Sequence, residues 1–510
     1  MFKTTPGEIY DLAQKSADLT ANRYVRSVDA MRGLRLTDLG LAERFIRQHG
    51  DRLRYCHPWS EWLLWTGTRW QADRDGHVGR LALKTVLSLY TEAELQVDPE
   101  TKSEIIDYAV RAESARRINA LLDVARYLAT PVLPEQLDAD PYLLATPAGV
   151  VDLRTGEIST PSPDLLITKQ TTCAPDPEQY PVLWLETLYK VFDGKLEILN
   201  FVQRLLGYAI TGLTRERVLL ICYGTGSNGK SLMLNTLIDV LGDYARRVPS
   251  ELFLQNRGDK HPTMIAELHG LRLAVAAETP VGAKLDESLV KELTGSDRLT
   301  ARRMREDYFT FVPTHKLVLA TNHRPRVRGS DHAVWSRLIL LPFTVRFWDR
   351  DKGETGPPEL EADKDLANKL REEWPGILQW LIEGAKDYLA NGLQIPRSVL
   401  DATAAYRTEE DVVGQWLAER CIVDPRSHTP VADLWADFER WCETNGEAVM
   451  SKQMFTRLLT DRGFATQKTS GGARVKLGLC LRELSGVKVA DEWRKSGDSG
   501  VFTDDYSTAE

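Results

Sequence analysis

The sequence predicts an α/β chain: a central parallel β-sheet, a mainly helical N-terminal region and a C-terminal winged helix. Three observations lead to this prediction. A buried strand runs through a glycine-rich loop into a helix. Two later apolar strands each end in a polar side chain. Near the C-terminus the pattern is helix, helix, β-hairpin.

The glycine-rich loop begins after the apolar run from Val218 to Tyr223, which has the length of a buried parallel strand. Residues 224–231 read GTGSNGKS, the phosphate-binding pattern G-x-x-x-x-G-K-[ST], and a helical pattern follows up to Gly242. Lys230 can reach the β- and γ-phosphates of a nucleotide, and the Ser231 hydroxyl can ligate Mg²⁺. The alternative is a glycine turn with a surface lysine, and the flanking strand and helix argue against it. The predicted nucleotide-binding residues are Gly224, Thr225, Gly226, Ser227, Asn228, Gly229, Lys230, Ser231 and Leu232.

Polar residues end the two later strands. The strand over 270–276 runs into Ala277 and Glu278, where a carboxylate can orient or deprotonate water at the γ-phosphate. Because Ala277 stands where an aspartate is usual, Glu278 alone must serve, and we predict Ser231 and Glu278 as the Mg²⁺ ligands. The strand over 316–320 ends at Thr321 and Asn322, whose amide can hold the attacking water. A surface charge or helix cap is the plainer interpretation of Glu278, and its place after the second strand favours a catalytic role.

A basic hairpin is predicted over 299–311, with its turn near residues 305–307. Three arginines lie on or beside its turn, Arg302, Arg303 and Arg305, and Lys291 precedes the hairpin. From residue 291 to 346 the chain carries eleven Lys or Arg and five Asp or Glu. A basic stripe of this kind can be a solvated face. On a hairpin it can instead grip a nucleic-acid backbone, and we predict these four residues as DNA contacts.

The flanking regions are predicted from coarser patterns. Residues 1–140 are expected to be mainly helical, with a tryptophan stripe as a small core; the pair Asp73 and Asp75 is expected to be a turn rather than a primase metal site. The C-terminal hairpin carries Lys468 and Arg474 as predicted DNA contacts, with protein docking as the alternative, and Lys476 is expected to line the same surface. The predicted boundaries are 1–140, 141–215 (a β-hairpin and helices before the core), 216–345, 346–427 (helical), 428–485 (winged helix) and 486–510 (a disordered tail).

The bulk composition limits the function classes. A chain of 510 residues is too long for one core, and its net charge of −8 makes no global case for nucleic-acid binding. No apolar run reaches the length of a membrane span. Six cysteines without C-x-x-C spacing suit reduced thiols in a cytoplasmic compartment.

Five segments in this order resemble superfamily 3 helicases: GTGSNGKS, RLAVAAE, KELTGSDRLTAR, FTFVPTHKLVLATN and WSRLILLPF. Within that superfamily the chain is most similar, over roughly residues 140–485, to the poxvirus and satellite-phage type of primase–helicase found in phages, prophages and plasmids. The resemblance implies Lys230 and Ser231 as Walker A and Glu278 as Walker B. It further implies three roles outside these motifs: Lys291 in motif B-prime, Asn322 as sensor 1 and Arg337 as an arginine finger for the neighbouring subunit.

The same resemblance implies a modified AAA+ P-loop core that assembles as a ring, usually a hexamer. It implies ATP and Mg²⁺ as cofactors, single-stranded and forked duplex DNA as partners, and the cytoplasm of a bacterial host as location. The chain starts too late for the polymerising primase domain of many relatives, so we expect no primase activity, and a separate primase or polymerase as a further partner. A replication initiator or loader that does not unwind DNA is the main alternative, and a small-molecule kinase ranks below it.

Overall fold

The computed structural model describes residues 34–255, 262–304, 307–327 and 332–482. The predicted DNA contact Arg305 and the predicted tail at 486–510 lie outside these ranges. The described chain is a mixed α/β structure with one parallel sheet and many helices. Among the described residues, every helix falls short of the length and apolarity that a bilayer crossing requires.

The N-terminal part is mainly helical and also contains a small antiparallel sheet that the sequence did not predict. Its helices are α1 (Asp38–His49), α2 (His77–Glu94), α3 (Pro99–Ala112) and α4 (Ala115–Leu128). Its strands pair in the order β1 (Leu53–Cys56), β2 (Glu61–Trp65), β3 (Trp70–Ala72). Trp70 is fully buried with Trp59 and Trp65 packed around it, which confirms the small-core interpretation of the tryptophan stripe.

The pair Asp73 and Asp75 lies at the start of α2. The Asp73 carboxylate accepts hydrogen bonds from the backbone N–H groups of His77 and Val78 at 2.7 and 2.9 Å, and Asp75 forms an ion pair with Arg80 at 2.7 Å. These acids satisfy the free donors of a helix start. The turn interpretation is therefore confirmed, and no metal-binding group of three acids, histidines or cysteines occurs in the described ranges.

A second small sheet and two helices lead to the centre of the chain. The strands are β4 (Leu143–Thr146), β5 (Gly149–Asp152) and β6 (Ile158–Ser159), which pair antiparallel in that order, as the predicted hairpin requires. The helices are α5 (Val182–Val191) and α6 (Leu196–Ile210). Helix α6 ends beside two buried cations: Arg272 donates to the Ile210 carbonyl at 2.6 Å, and Lys316 donates to the Leu213 carbonyl at 3.3 Å. Cations at this end offset the helix dipole and its free carbonyls.

The central sheet is parallel and five-stranded, in the order β13-β7-β12-β9-β8. Its strands are β7 (Leu219–Tyr223), β8 (Ala245–Arg247), β9 (Leu273–Ala277), β12 (Lys316–Thr321) and β13 (Leu338–Pro342), and the hairpin strands β10 (Leu299–Arg302) and β11 (Tyr308–Phe311) lie between β9 and β12 in sequence. The helices of this part are α7 (Lys230–Leu241), α8 (Pro262–Ala266), α9 (Glu287–Leu293) and α10 (His332–Trp335).

Both faces of this sheet are covered, which explains why β7, β9 and β13 are almost entirely apolar. In β7, Leu220 and Cys222 join one core, whereas Leu219 and Ile221 join a second core on the opposite face. Alternate side chains of a strand point to opposite faces, so a strand buried on both sides has no polar positions. Since all strands run the same way, their carboxyl ends form one edge of the sheet, here called the carboxyl edge, and their starts form the amino edge.

The C-terminal part contains helices followed by a three-stranded antiparallel sheet. The helices are α11 (Leu366–Glu372), α12 (Trp374–Asn391), α13 (Arg397–Glu410), α14 (Val412–Arg420), α15 (Val431–Asn445) and α16 (Lys452–Asp461). The strands are β14 (Cys421–Pro430), β15 (Thr466–Lys468) and β16 (Arg474–Leu481), in the order β14-β16-β15. The predicted helices and hairpin are present. Strand β14 was not predicted, and it crosses the boundary drawn between residues 427 and 428.

Candidate functional site

The glycine loop joins β7 to α7 at the carboxyl edge. Gly226, Ser227 and Gly229 have positive φ angles of 106°, 48° and 82°, so the backbone curls in a way that glycine adopts without strain. A Cβ on Gly224 would lie 2.2 Å from the Asn228 amide nitrogen and 2.4 Å from the Phe343 carbonyl oxygen, so only glycine fits there. The loop therefore needs its glycines for backbone reasons, and a curl of this kind can present N–H groups to phosphate oxygens.

Lys230 is the best-defined cation of the site. Its ammonium is buried and donates to the Gly224 carbonyl at 2.6 Å, the Asn228 side-chain oxygen at 3.1 Å and the Asn322 side-chain oxygen at 3.0 Å. None of these three acceptors is a carboxylate. Burial lowers the pKa of Lys230 from its usual value. A positive charge held by neutral acceptors in a glycine loop is suited to an anion, which would relieve the cost of that burial.

The strand order explains which predicted residues meet. Strand β12 lies between β7 and β9, with Thr321 paired to Tyr223 and Ala320 paired to Ala277. Asn322 therefore follows directly beside the glycine loop and contacts Lys230, while Glu278 follows one strand further away. The sequence placed Asn322 and Glu278 at strand ends, but it did not establish that Asn322 is the nearer of the two.

Glu278 has an unusual backbone. Its φ angle is +64°, in the left-handed region that non-glycine residues adopt uncommonly. Its N–H donates to the Ala320 carbonyl at 3.0 Å, and its carbonyl accepts from the Ser250 hydroxyl at 3.1 Å. The side chain is exposed, and within the described ranges its carboxylate has no hydrogen-bond or ion-pair partner. The carboxylate is thus available for water or a metal ion.

Two threonines that the sequence analysis missed connect the strand ends. The hydroxyl groups of Thr279 and Thr321 form one hydrogen-bonded cluster with the His323 carbonyl, whose oxygen lies 3.0 and 2.6 Å from the two hydroxyl oxygens. Both side chains are buried. They hold the backbone after β9 against the backbone after β12, and so set the spacing of Glu278 and Asn322. A threonine within two residues of the end of an apolar strand, in both segments, was the signal that could have identified them.

The predicted magnesium ligands have suitable chemistry. Ser231 is exposed in the first turn of α7, and Glu278 is exposed at the same edge of the sheet. Hydroxyl and carboxylate oxygens are hard donors, and Mg²⁺ is usually bound by few protein ligands together with substrate phosphates. These two residues therefore fit a magnesium ion that a nucleotide would share. Of the remaining loop residues, Thr225 and Ser227 are exposed, whereas Asn228 is buried and Leu232 half-buried.

Arg337 lies at the amino edge, opposite the glycine loop. Its carbonyl accepts from the Leu219 N–H at 2.8 Å, and its guanidinium donates to the Ala333 carbonyl. Its buried Nε has no acceptor in the described parts of the chain. The five residues of β13 separate Arg337 from the carboxyl edge, a distance of about 16 Å at 3.3 Å per residue. Arg337 therefore cannot reach the glycine loop of its own chain.

The basic hairpin also lies on the amino-edge side, as the connection that precedes β12. Arg302 pairs with Tyr308 across the hairpin, and its guanidinium lies 5.4 Å from the centre of that ring. Arg303 lies over Phe309 at 5.5 Å and over Trp59 of the N-terminal part at 5.9 Å. The two arginines thus have different neighbours. Lys291 is half-buried in α9.

The C-terminal sheet carries the remaining predicted DNA contacts. Lys468 and Arg474 are both exposed and directly opposite each other in the β15–β16 pair. Like charges in this arrangement repel, and a bound anion would relieve the repulsion. Lys476 does not belong with them, and its prediction was wrong. Its side chain is fully buried and donates to the Thr460 hydroxyl at 2.7 Å and the Phe464 carbonyl at 2.8 Å, because β16 turns this position inward.

Two family models match this chain. Residues 42–193 match the model described as "D5 N terminal like", and residues 222–337 match "Family of unknown function (DUF5906)". The second match contains the glycine loop, Glu278, Asn322, the hairpin and Arg337. The solved structure titled "The A form apo structure of NrS-1 C terminal region-CTR" covers 86% of this chain and 98% of its own, with 10% identity and a TM-score of 0.48.

The chain is also similar to proteins of large DNA viruses that are named putative helicases and primases. It is 24% identical over 381 residues to "Putative helicase L207/L206" of Acanthamoeba polyphaga mimivirus, covering 70% of this chain and 39% of the relative. It is 22% identical over 532 residues to "Putative helicase 184R" of Invertebrate iridescent virus 6, covering 88% and 54%. It is 23% identical over 389 residues to "Putative primase C962R" of an African swine fever virus isolate, covering 72% and 39%. The chain spans about half or less of the length of these relatives. The resemblance to viral helicase–primase proteins that the sequence predicted is confirmed.

Proposed function

We propose that this chain is an ATP-dependent DNA helicase: a superfamily 3 motor with a modified AAA+ P-loop core and a C-terminal winged helix. It would move along single-stranded DNA during replication of a phage, prophage or plasmid in a bacterial cell. The names of the viral relatives support a helicase–primase type of function. The residues of the candidate site support the narrower proposal of a superfamily 3 motor. A separate primase or polymerase would supply the primers.

One observation carries the proposal: the buried Lys230 ammonium contacts Asn322 at a glycine loop, with the exposed Glu278 carboxylate one strand away. In the proposed reaction, Lys230 exchanges its carbonyl and amide acceptors for the β- and γ-phosphate oxygens of ATP. Asn322, released from Lys230, orients the attacking water, and Glu278 accepts the proton of that water. A magnesium ion held by Ser231 and Glu278 would neutralise charge on the phosphates.

The position of Arg337 supports a ring. It cannot reach its own glycine loop, yet phosphoryl transfer is strongly accelerated by an arginine that stabilises the transition-state charge. In a head-to-tail ring, the amino edge of one subunit would face the carboxyl edge of the next, and Arg337 would complete the neighbouring site. We propose a hexamer on the basis of the resemblance.

The DNA would contact the hairpin at the amino-edge side. Strand β12 begins after the hairpin and ends just before Asn322, so it connects the hairpin directly to the residue that contacts Lys230. Movement of Asn322 with the nucleotide state would therefore reach the hairpin through a single strand. Contacts through Lys291, Arg302, Arg303 and Arg305 would be to phosphates, hence tolerant of sequence and sensitive to salt.

One observation favours the second candidate, an ATP-regulated initiator or loader. Lys468 and Arg474 lie on a separate sheet, remote in sequence from the glycine loop, and could hold duplex DNA without any unwinding.

Strand displacement from a forked duplex distinguishes the two candidates. We expect displacement that requires ATP and Mg²⁺ and is absent in Lys230→Ala. ATP hydrolysis and ring formation on DNA without displacement would identify an initiator or loader. Absence of any DNA-stimulated ATP hydrolysis would refute both.

A further inference from the structure

The N-terminal part touches the proposed DNA-binding hairpin through Trp59, which lies in the connection between β1 and β2. The rings of Trp59 and His269 are in edge contact, with centres 6.0 Å apart. His269 in turn contacts Phe309 and Phe311 of the hairpin, at 5.5 and 5.2 Å. Arg303 lies over both Trp59 and Phe309. An aromatic side chain from a distant part of the chain is therefore placed beside a hairpin arginine.

Lys169 brings a second cation to the same place. The neighbour of His269 is Gly270, and a Cβ on that glycine would lie 2.9 Å from Cε and 3.5 Å from Nζ of Lys169. Within the described ranges the Lys169 ammonium has no hydrogen-bond acceptor or ion-pair partner. Burial lowers the pKa of Lys169, and the positive charges of Arg246, Arg303 and Arg69 lower it further, against the opposite effect of Asp138. Two of these neighbours already have acidic partners, since Arg246 pairs with Glu267 and Arg69 with Asp243.

The group is held in place by backbone contacts. The Trp70 N–H donates to the Ile167 carbonyl at 2.8 Å, which attaches the segment carrying Lys169 to the N-terminal sheet. The Thr172 N–H donates to the Val240 carbonyl at 3.0 Å, and the Tyr244 hydroxyl donates to the Lys169 carbonyl at 3.2 Å, which attach the segment to the central part. These backbone contacts therefore hold Trp59, Lys169 and Arg303 together at one surface.

We propose that Trp59, Lys169 and Arg303 form a binding site for single-stranded DNA, in which Trp59 stacks on a base and Lys169 and Arg303 hold phosphates. An aromatic ring beside cations is the combination that binds single strands without sequence preference. The guanidinium of Arg303 lies 5.9 Å from the centre of the Trp59 ring and 5.5 Å from that of Phe309, so its positive charge is held beside the ring that would stack. The site rests on the proposed function and extends it, since it makes the N-terminal part a contributor to DNA binding.

The test is binding of fluorescein-labelled oligo(dT) to the full chain without nucleotide, over a salt series. We expect Trp59→Ala to weaken binding about 10-fold, as loss of one stacked base predicts, and Trp59→Phe to retain most of it. Trp65→Ala is the matched control, because Trp65 packs in the same N-terminal sheet against Trp70. We expect Lys169→Gln to make the slope of log affinity against log salt shallower by about 0.7, and the exposed Lys102→Gln to leave it unchanged.

The outcomes separate this site from the proposed function. If Trp59→Ala and Lys169→Gln keep the parent affinity and slope while Arg302→Ala weakens binding, the site is refuted and the hairpin alone binds DNA. If Trp59→Ala binds more tightly, Trp59 covers the hairpin instead of contributing to the site. If the parent chain binds no oligo(dT) under any salt condition, the proposed function fails with it. Basal ATP hydrolysis should be unchanged in both variants, because neither residue lies at the carboxyl edge.

Discussion

At the scale of single residues, the environment of each side chain decides its role. Lys230 and Lys476 are both buried lysines, and each is satisfied by neutral acceptors. Lys230 lies in a glycine loop beside an exposed carboxylate, where an anion can replace its acceptors. Lys476 lies in β16 and donates to Thr460 of α16, so it connects a strand and a helix of the C-terminal part. Residue type alone did not distinguish them.

The first prediction separates binding of ATP from its hydrolysis. Lys230→Ala should abolish ATP binding, because the phosphates lose their main cation. Glu278→Gln should keep ATP binding but lower turnover by about 10²–10⁴-fold, because an amide cannot accept a proton from water. Equilibrium binding of a fluorescent ATP analogue and steady-state hydrolysis measure the two effects. Glu251→Gln, an exposed acid, is the control. Normal turnover in Glu278→Gln would mean that another residue is the base.

The second prediction concerns His315, which precedes β12. Burial lowers its pKa to about 4, against an ordinary value of 6.5, and one ring nitrogen has no partner in the described ranges. The neutral ring is therefore the folded form. Its contribution to stability is complete above pH 6.5 and is lost as the pH falls from 6.5 towards 4. At pH 5 the loss should be roughly 2 kcal/mol.

His315→Gln tests this dependence, because glutamine can still donate to the Leu293 carbonyl, which lies 3.0 Å from the His315 ring, and does not titrate. The free energy of unfolding, measured in urea at pH 7 and pH 5, should fall less in the variant than in the parent. His49 and His269, whose pKa values are also lowered to about 4, titrate equally in both proteins. If the free energy of unfolding falls equally in the two proteins, protonation of His315 is not the cause of the pH dependence.

At the scale of elements, strand β12 connects the two edges of the sheet. It starts after the hairpin, runs between β7 and β9, and ends at Thr321, directly before Asn322. All six of its residues are buried and it is paired on both sides, so it can move only together with the neighbouring strands. The hairpin before it has Arg302 over Tyr308, while Arg303 contacts Phe309 and the N-terminal part. In the proposed motor, β12 would therefore connect the nucleotide site to the DNA-binding hairpin directly.

The third prediction tests the hairpin. Arg302→Ala should leave folding and basal ATP hydrolysis intact, because a single cation–π contact at the surface contributes only about 0.5–1 kcal/mol. It should remove DNA-stimulated hydrolysis and strand displacement, and make the salt slope of single-strand binding shallower by about 0.7. Arg298→Ala, an exposed arginine just before the hairpin, is the matched control. If strand displacement and the salt slope of single-strand binding are unchanged in Arg302→Ala, Lys468 and Arg474 become the main candidates for binding the DNA backbone.

At the scale of the whole molecule, the residues of the proposed mechanism lie at two opposite edges of the central sheet. The carboxyl edge holds Lys230, Asn322 and Glu278, and the amino edge holds Arg337 and the root of the hairpin. A single chain therefore contains both halves of the proposed nucleotide site but cannot bring them together. This division is what a ring of identical subunits would use.

The fourth prediction tests the division of the site between subunits. Arg337→Ala and Lys230→Ala proteins should each be inactive, because every interface in either ring lacks one component. Mixed rings should recover part of the ATPase activity, since some interfaces combine an intact Lys230 with an intact Arg337. Native mass spectrometry with one isotope-labelled partner would report mixing. Mixed rings without recovered activity would show that Arg337 is not the residue supplied across the interface.

Local patterns in the sequence determined much of this protein. They identified the glycine loop, the buried strands, the hairpin and the C-terminal helices. Burial, strand alternation and positive φ angles each require particular residue types within a short stretch of sequence. For the same reason, Glu278 and Asn322 could be placed at strand ends. Strand β14 was not predicted. From residue 423 to 428 it is mostly exposed and its pairing with β16 is irregular in register, so it lacks an apolar pattern.

Only the tertiary structure decided which of these residues meet. The order β13-β7-β12-β9-β8 brings Asn322 to Lys230, leaves Glu278 one strand away and puts Arg337 at the opposite edge. Packing buried Lys476 and brought Trp59 to Arg303. Strand order and such contacts depend on side chains far apart in sequence, whose apolar surfaces fit together in one arrangement. No local periodicity carries that information, because each strand alone would pair equally well with several others.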